Sequence, residues 1–209
     1  MAGYGDGRAF LYRDDSGIID LGPGRAYGIN NGGTVVGETW IVPGHPPAFV
    51  YRNGQMQILS DDVFSEPALY DINEDGVAVG SGFVGATQTA LLWTEEEQLL
   101  DLNVLLPEKS GIVLGSASAI NEKGQITGHA FNGQLVAYRL DPLPKLKVLL
   151  NGTSIVVSWT SIWSNVVLQA ADGLPNTNWQ AIATTGTNLV SVPVTNTARF
   201  FRVVRPSTE

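Results

Sequence analysis

"INEDGVAVG", residues 72–80, is one of three copies of a single pattern, the others being "INNGGTVVG" at 29–37 and "INEKGQITG" at 120–128. All three read Ile-Asn-x-x-Gly-x-[Val/Ala/Ile]-[Val/Thr]-Gly. A second element runs between them in phase: "AFLYRDDSGIIDLG" from Ala9, "AFVYRNGQMQILS" from Ala48, "ALLWTEEEQLLDLN" from Ala90 and a shortened "AYRLDP" from Ala137. Its alanines are 39, 42 and 47 residues apart, and the first element recurs after 43 and 48. Two linked elements at one period define a repeated structural unit, of a length that suits a four-stranded antiparallel blade.

Within each unit the apolar residues alternate, with turn residues between short runs, so the unit reads as strands joined by hairpins. Strand A ends at Ile-Asn, strand B runs through the Val-Val-Gly, strand C is the Ala-Phe-Leu-Tyr/Trp stretch and strand D the Ile-Ile-Asp-Leu stretch. Gly33, Gly76 and Gly124 fall where the A–B hairpin needs a positive φ. The same residues pose a metal question, because Asp71, Asn73 and Asp75 alternate ahead of Gly76 as in a calcium loop. The repeat argues for a turn instead. The positions aligned with Asp71 are Gly28 and Ala119, those aligned with Asp75 are Gly32 and Lys123, and the twelfth position, where an EF-hand places a bidentate Glu, is Gly82. Calcium at Asp71, Asn73 and Asp75 stays open as the cofactor to test.

The linked motifs, A-x-x-I-N-x-x-G-x-V-V-G followed by A-F-L-W/Y and D-L-G, resemble the HAF repeat of bacterial, often extracellular, proteins. Residues 101–142 are similar to the closing repeat of such arrays, and the resemblance spans about residues 7–142. It departs from the family at the His-Ala-Phe itself, present only at 129–131 and out of phase with strand C, whose alanines follow Pro47, Thr89 and Val136. The resemblance implies a β-propeller-like array outside the cytoplasm and no established reaction. The chain starts in mid-unit, as expected of a natural short form or of the carboxyl-terminal piece of a longer array. About three and a half units are present, against the usual four to eight blades of a closed propeller. The edges are expected to close by pairing "AFLYR" and "GIIDLG" with the last unit, or with a second chain in a homodimer.

After "DPLPKLK" the repeat stops and Thr, Asn, Val and Trp rise. Strand-like runs every 8 to 12 residues predict a small antiparallel sandwich. Ser158-Trp159, Leu168-Gln169, Trp179 and Phe200-Phe201-Arg202 resemble the fibronectin type III-like modules that end some secreted bacterial proteins. The expected fold is therefore all-β: a propeller-like array of about three to four antiparallel four-stranded units over 1–142, then a β-sandwich over 143–209.

Chemistry is sparse in the 209 residues. Twelve Lys and Arg against twenty Asp and Glu leave a net charge of -8 with the basic residues scattered, which argues against nucleic acid as a partner. No apolar run reaches membrane-helix length, so no membrane insertion is expected, and residues 1–10 lack a signal peptide's regions. There is no cysteine. No G-x-S-x-G, H-E-x-x-H, P-loop or dinucleotide fingerprint occurs. What remains is His45 in a Pro/Gly loop, His129 at the end of a B strand, the acidic loop with Asp61, Asp62 and Glu66, and exposed aromatics as glycan contacts. Of Trp40, Trp93, Trp159, Trp163 and Trp179, Trp93 aligns with Tyr12 and Tyr51 as core, while Trp163 sits in a turn and is the first ligand-binding candidate. The leading expectation is a non-catalytic extracellular binding module for a glycan or protein. Its rivals are a calcium-dependent hydrolase of a lactone, ester or phosphoester, using His45 and the Asp61, Asp62, Glu66, Asp71 and Asp75 carboxylates, and an assembly protein closing its ring by dimerisation.

Overall fold

Each Ile-Asn-x-x-Gly stretch ends one strand and turns into the next, with Gly33, Gly76 and Gly124 at φ of 77°, 77° and 72°. The computed structural model describes residues 1–41, 44–60, 62–106, 110–142, 145–160, 167–173, 178–183, 189–194 and 199–204. The chain is all-β, with antiparallel sheets in two compact units, Met1–Leu140 and Asp141–Glu209.

In the first unit β1 (Ala2–Gly5), β2 (Arg8–Arg13), β3 (Gly17–Ile29), β4 (Val35–Thr39), β5 (Ala48–Arg52) and β6 (Gln55–Leu59) are hydrogen-bonded in chain order. The long β3 serves two modules. Its first half pairs with β2 and its second half with β4, and the strand bends at Gly22-Pro23-Gly24, where both glycines have positive φ. A third module is β7 (Ser65–Ile72), β8 (Ala78–Val84), β9 (Thr87–Thr94) and β10 (Gln98–Asp101). A 3-10 turn, Leu102–Leu105, capped by the Asp101 carboxylate, leads to the fourth module, β11 (Val113–Ile120), β12 (Ile126–Phe131) and β13 (Leu135–Leu140). Residues 1–5 carry a strand that the repeat pattern alone does not announce: β1 stands in the place of strand B. The first module therefore has strands B, C and D, and the fourth A, B and C.

The modules stack sheet against sheet through three cores. Ala9, Leu11 and Leu21 of the first module meet Ala26, Val35 and Phe49 of the second. Val36, Ala48, Val50 and Leu59 meet Leu69, Ile72, Ala78 and Trp93 of the third. Val79, Ala90 and Leu102 meet Leu114, Ala117, Ile120, Ile126 and Ala130 of the fourth. The middle modules are thus buried on both faces, so adjacent residues such as Val35 and Val36 both lose their water, one to each neighbour. That is why runs like Ala48-Phe49-Val50 replace strict alternation.

The asparagine of the motif holds the modules together. Within its turn Asn73 accepts the amide of Val77 through Oδ1 at 3.0 Å, and Asn30 does the same for Thr34 and Asn121 for Gln125. Its Nδ2 then crosses to the next module: Asn30 donates to the Asn73 carbonyl at 3.1 Å, and Asn73 to the Asn121 carbonyl at 3.3 Å. One residue on, the amides of Asn31 and Glu74 donate to the side chains of Glu74 and Glu122, both at 2.9 Å. Asp71 adds a further link by accepting the Ile120 amide.

In the second unit β14 (Lys145–Asn151), β15 (Ser154–Thr160) and β18 (Leu189–Pro193) form one sheet, and β16 (Val167–Ala171), β17 (Gln180–Ala183) and β19 (Phe200–Val204) the other. Val157, Trp159 and Leu168 are buried between them, with Phe201 and Val203 packed alongside, which makes the unit sandwich-like. Arg202 lies 4.2 Å from the Trp179 ring centroid, covering that tryptophan.

Asn73 is 2% exposed, so Asn73→Ala strands buried partners and is expected to cost about 1–3 kcal/mol in urea unfolding. Asn121→Ala, whose Nδ2 reaches, among the described residues, Gln125 of its own turn and no other module, is expected to cost clearly less. Equal losses for the two would count against a ladder that works between modules.

Candidate functional site

The second glycine of the motif builds the candidate site. Gly37, Gly80 and Gly128 lie opposite Ala26, Leu69 and Ala117, and in each case the next residue on strand A bulges out of register. A Cβ on these glycines would stand 1.9, 1.8 and 1.9 Å from the carbonyl oxygens of Arg25, Ala68 and Ser116. Only a residue without a side chain admits that approach, and the bulge re-aims one side chain per module. Those side chains are Tyr27, Tyr70 and Ser118.

A second equivalent position follows each of these glycines on strand B. Glu38, Ser81 and His129 sit across from the strand-C alanines Ala48, Ala90 and Ala137, and Tyr4, after Gly3, sits across from Ala9 in the same way. The two positions meet within a module. The Tyr27 hydroxyl donates to Glu38 at 3.0 Å, and the Tyr70 hydroxyl bonds Ser81 at 2.8 Å. They also meet between modules: Tyr4 and Tyr27 are edge to face at 6.1 Å, and Tyr27 and Tyr70 at 5.5 Å. His129 packs edge to face on Phe131 at 5.8 Å. The result is a stripe of contacting side chains across the first three modules, with Ser118 and His129 at the equivalent positions of the fourth.

The stripe is richest at its first end. The Arg25 guanidinium lies between two rings, 5.4 Å from the centroid of Tyr4 and 5.2 Å from that of Trp40, with Glu38 at 3.4 Å. Tyr4 and Trp40 are 55% and 38% exposed, so this cation–aromatic arrangement faces solvent. The Arg25 guanidinium is held above its ordinary range, first by its neighbour Tyr27. The Tyr27 phenol is pushed up, first by burial; Arg25 pulls it down and Glu38 pushes it back up. A charged fork, a carboxylate and two open rings can grip a polar ligand that also has an apolar face.

The residues expected to carry chemistry are placed as follows. Asp61 and Trp163 lie outside the described residues. His45, Asp62 and Glu66 are exposed, His45 between β4 and β5, Asp62 between β6 and β7, and Glu66 on β7. Asp71 spends its oxygens on the amides of Ile72 and Ile120, Asn73 spends its side chain on the ladder, and Asp75 is exposed in the turn. Among the described residues no three His, Cys, Asp or Glu side chains are grouped to hold a metal ion. Trp93, at 2% exposure, and Trp159, at 4%, are core. Of the stripe only Trp40 was among the aromatic candidates read from the sequence; Tyr4, Arg25, Tyr27, Glu38 and Tyr70 were not. Its signal lay in the repeat alignment, at positions that vary beside glycines that do not.

No family model matches the chain, and no curated protein or solved structure matches it.

Two predictions follow from this geometry. Gly80→Ala drives a methyl into the Ala68 carbonyl and is expected to cost about 1–3 kcal/mol, whereas Gly5→Ala, with nothing near its Cβ among the described residues, is expected to be close to neutral; paired urea titrations compare them. The Tyr138 phenol, which donates to the Ser116 carbonyl, is pushed up to about 12 by burial. Above pH about 10 the unfolded chain releases tyrosine protons that the folded state keeps at Tyr138 and Tyr27. Stability is expected to be unaffected by them below that pH and to fall as pH rises toward about 12. Tyr138→Phe should flatten the fall in urea midpoints measured across this range.

Proposed function

We propose that residues 1–140 are a propeller-like array of HAF-type repeats acting as a non-catalytic binding module outside a bacterial cytoplasm, with a saccharide chain as ligand along the Tyr4–Tyr27–Tyr70 stripe. Residues 141–209 follow as a fibronectin type III-like sandwich. The propeller-like reading is supported by the face-to-face packing of successive sheets and by the turns of their A strands, which bond to one another at equivalent positions. The observation that carries the binding reading is the solvent-facing Tyr4–Arg25–Trp40 cluster beside Glu38. Pyranose rings present an apolar CH face that stacks on aromatic rings, and vicinal hydroxyls suit the two-pronged groups of Arg25 and Glu38. A stripe one or two side chains wide suits a linear chain better than the broad surface of a folded protein.

The hydrolase reading has no such cluster behind it, since the described carboxylates of Asp62, Glu66, Asp71 and Asp75 and the His45 ring form no group able to hold a metal.

Calorimetric titration of the protein with a panel of soluble bacterial and plant polysaccharides tests the proposal. Trp40→Ala and Tyr4→Ala are each expected to weaken the bound saccharide at least about tenfold while leaving the thermal midpoint within about a degree. Saccharide binding untouched by both substitutions would remove the stripe from the site. Absence of saccharide binding together with a protein ligand whose affinity falls in both variants would make the module a protein binder.

A further inference from the structure

Arg25 is the cation of the stripe, and its fork is only partly used. Nη1 reaches Glu38 Oε1 at 3.4 Å, a long contact through one nitrogen. Nε and Nη2 form no hydrogen bond to a carboxylate among the described residues. Glu38 is already occupied, because the same oxygen accepts the Tyr27 hydroxyl at 3.0 Å. The two charges also sit at different depths, the Glu38 side chain 16% exposed and that of Arg25 44%. Two other arginines show the contrast. Arg8 sets Nε and Nη2 together on the Asp20 carboxylate, at 2.9 and 2.6 Å from Oδ2, and Arg52 sets both terminal nitrogens on Glu95. Of the three, Arg25 alone keeps its Nε–Nη2 edge available.

The surroundings of that guanidinium are aromatic, with the solvent-exposed rings of Tyr4 and Trp40 centred 5.4 and 5.2 Å from its carbon. A guanidinium edge matches a planar carboxylate bidentately, with charge-assisted bonds about twice as strong as neutral ones. Rings beside it suit the CH face of a pyranose. A uronic acid joins the two groups in one residue, a pyranose whose carboxylate sits directly on the ring. The net charge of -8 limits how acidic the ligand can be. A densely sulfated chain is repelled along its length, whereas carboxylates spaced along a chain need one cation each.

We propose that the stripe selects acidic polysaccharides: the ligand is a linear chain containing uronic acid residues, whose carboxylate is held by Nε and Nη2 of Arg25 while the ring that carries it stacks on Trp40. This rests on the saccharide reading of the stripe and narrows it to one class of sugar. Arg25 is then the residue that sets specificity, and Glu38 with Tyr27 fixes its position from below.

The test is calorimetric titration of the full chain, in EDTA, with polygalacturonate, alginate and a β-glucuronan, each beside its carboxyl-reduced neutral counterpart. At least one acidic polymer is expected to bind, and its reduced form to bind about tenfold more weakly. Arg25→Gln is expected to bring the acidic polymer down to the level of its reduced form, and Arg25→Lys, which keeps the charge without the fork, to fall between. An acidic polymer that the unmodified protein binds no better than its reduced form overturns the selectivity and leaves the saccharide module standing, as does binding confined to neutral polysaccharides. Carboxyl reduction that costs as much in Arg25→Gln as in the unmodified protein overturns the assignment to Arg25. Polyglutamate bound as tightly as the acidic sugar also overturns it, by reducing the contact to charge alone. Absence of binding to any saccharide removes this proposal together with the reading it rests on.

Discussion

In the two middle modules the motif's asparagine does two jobs, and the contact of the second, third and fourth modules uses both. Its Oδ1 closes its own hairpin by accepting an amide four residues on, and its Nδ2 crosses to the carbonyl of the next asparagine. No other side chain of this length offers an acceptor and a donor on one planar group. The first bond fixes the group's orientation, so the second arrives with little further loss of freedom. Each link sets two equivalent turns in contact, one beside the core between the second and third modules and one beside the core between the third and fourth. A buried amide left without either bond is costly, which applies most strongly to Asn73, 2% exposed; the exposed Asn121 keeps only the turn-closing bond in common with it.

A second constraint is a close approach of backbone to backbone. The carbonyls of Arg25, Ala68 and Ser116 occupy the space of a Cβ on Gly37, Gly80 and Gly128. The bulge that follows falls at Tyr27, Tyr70 and Ser118, and the first two reach the side chains after those glycines. The scaffold is thus conserved from module to module inside this one chain, while the side chains it presents change from Tyr and Glu to Tyr and Ser to Ser and His. Constant backbone with changing chemistry is how a binding surface is written onto a repeat.

The repeat, its all-β character and the role of Gly33, Gly76 and Gly124 were legible because each is a local property: a period, an apolar run, a positive φ in a short turn. Trp93 is core as expected, but not for the reason of its alignment: the aligned Tyr12 is 40% exposed and Tyr51 half-buried, and Trp93 is covered because its module packs against a neighbour, in the core between the second and third. The strand at Ala2–Gly5 was not, since four residues, Ala-Gly-Tyr-Gly, carry no periodic signal and become a strand by pairing with β2. The motif's asparagine was read as the end of strand A, because the partner of its Nδ2 lies 43 or 48 residues away. The acidic turn drew attention to metal for the same reason. Glu74 and Asp71 look free in one dimension, yet their oxygens meet amides of neighbouring modules.

By itself the sequence determined the unit: its length, its four strands, its turns, and the positions that do not vary. Tertiary structure alone decided what those positions are for, because the bonds that use them run between units and the glycine contacts arise only when two strands pair with a bulge. It also decided which side chains share the exposed cation–aromatic cluster. Tyr4, Arg25, Tyr27, Glu38 and Trp40 come from β1, β3, β4 and the residue after β4, and are ordinary residues in the linear order; they become one surface only where the first two modules pack together.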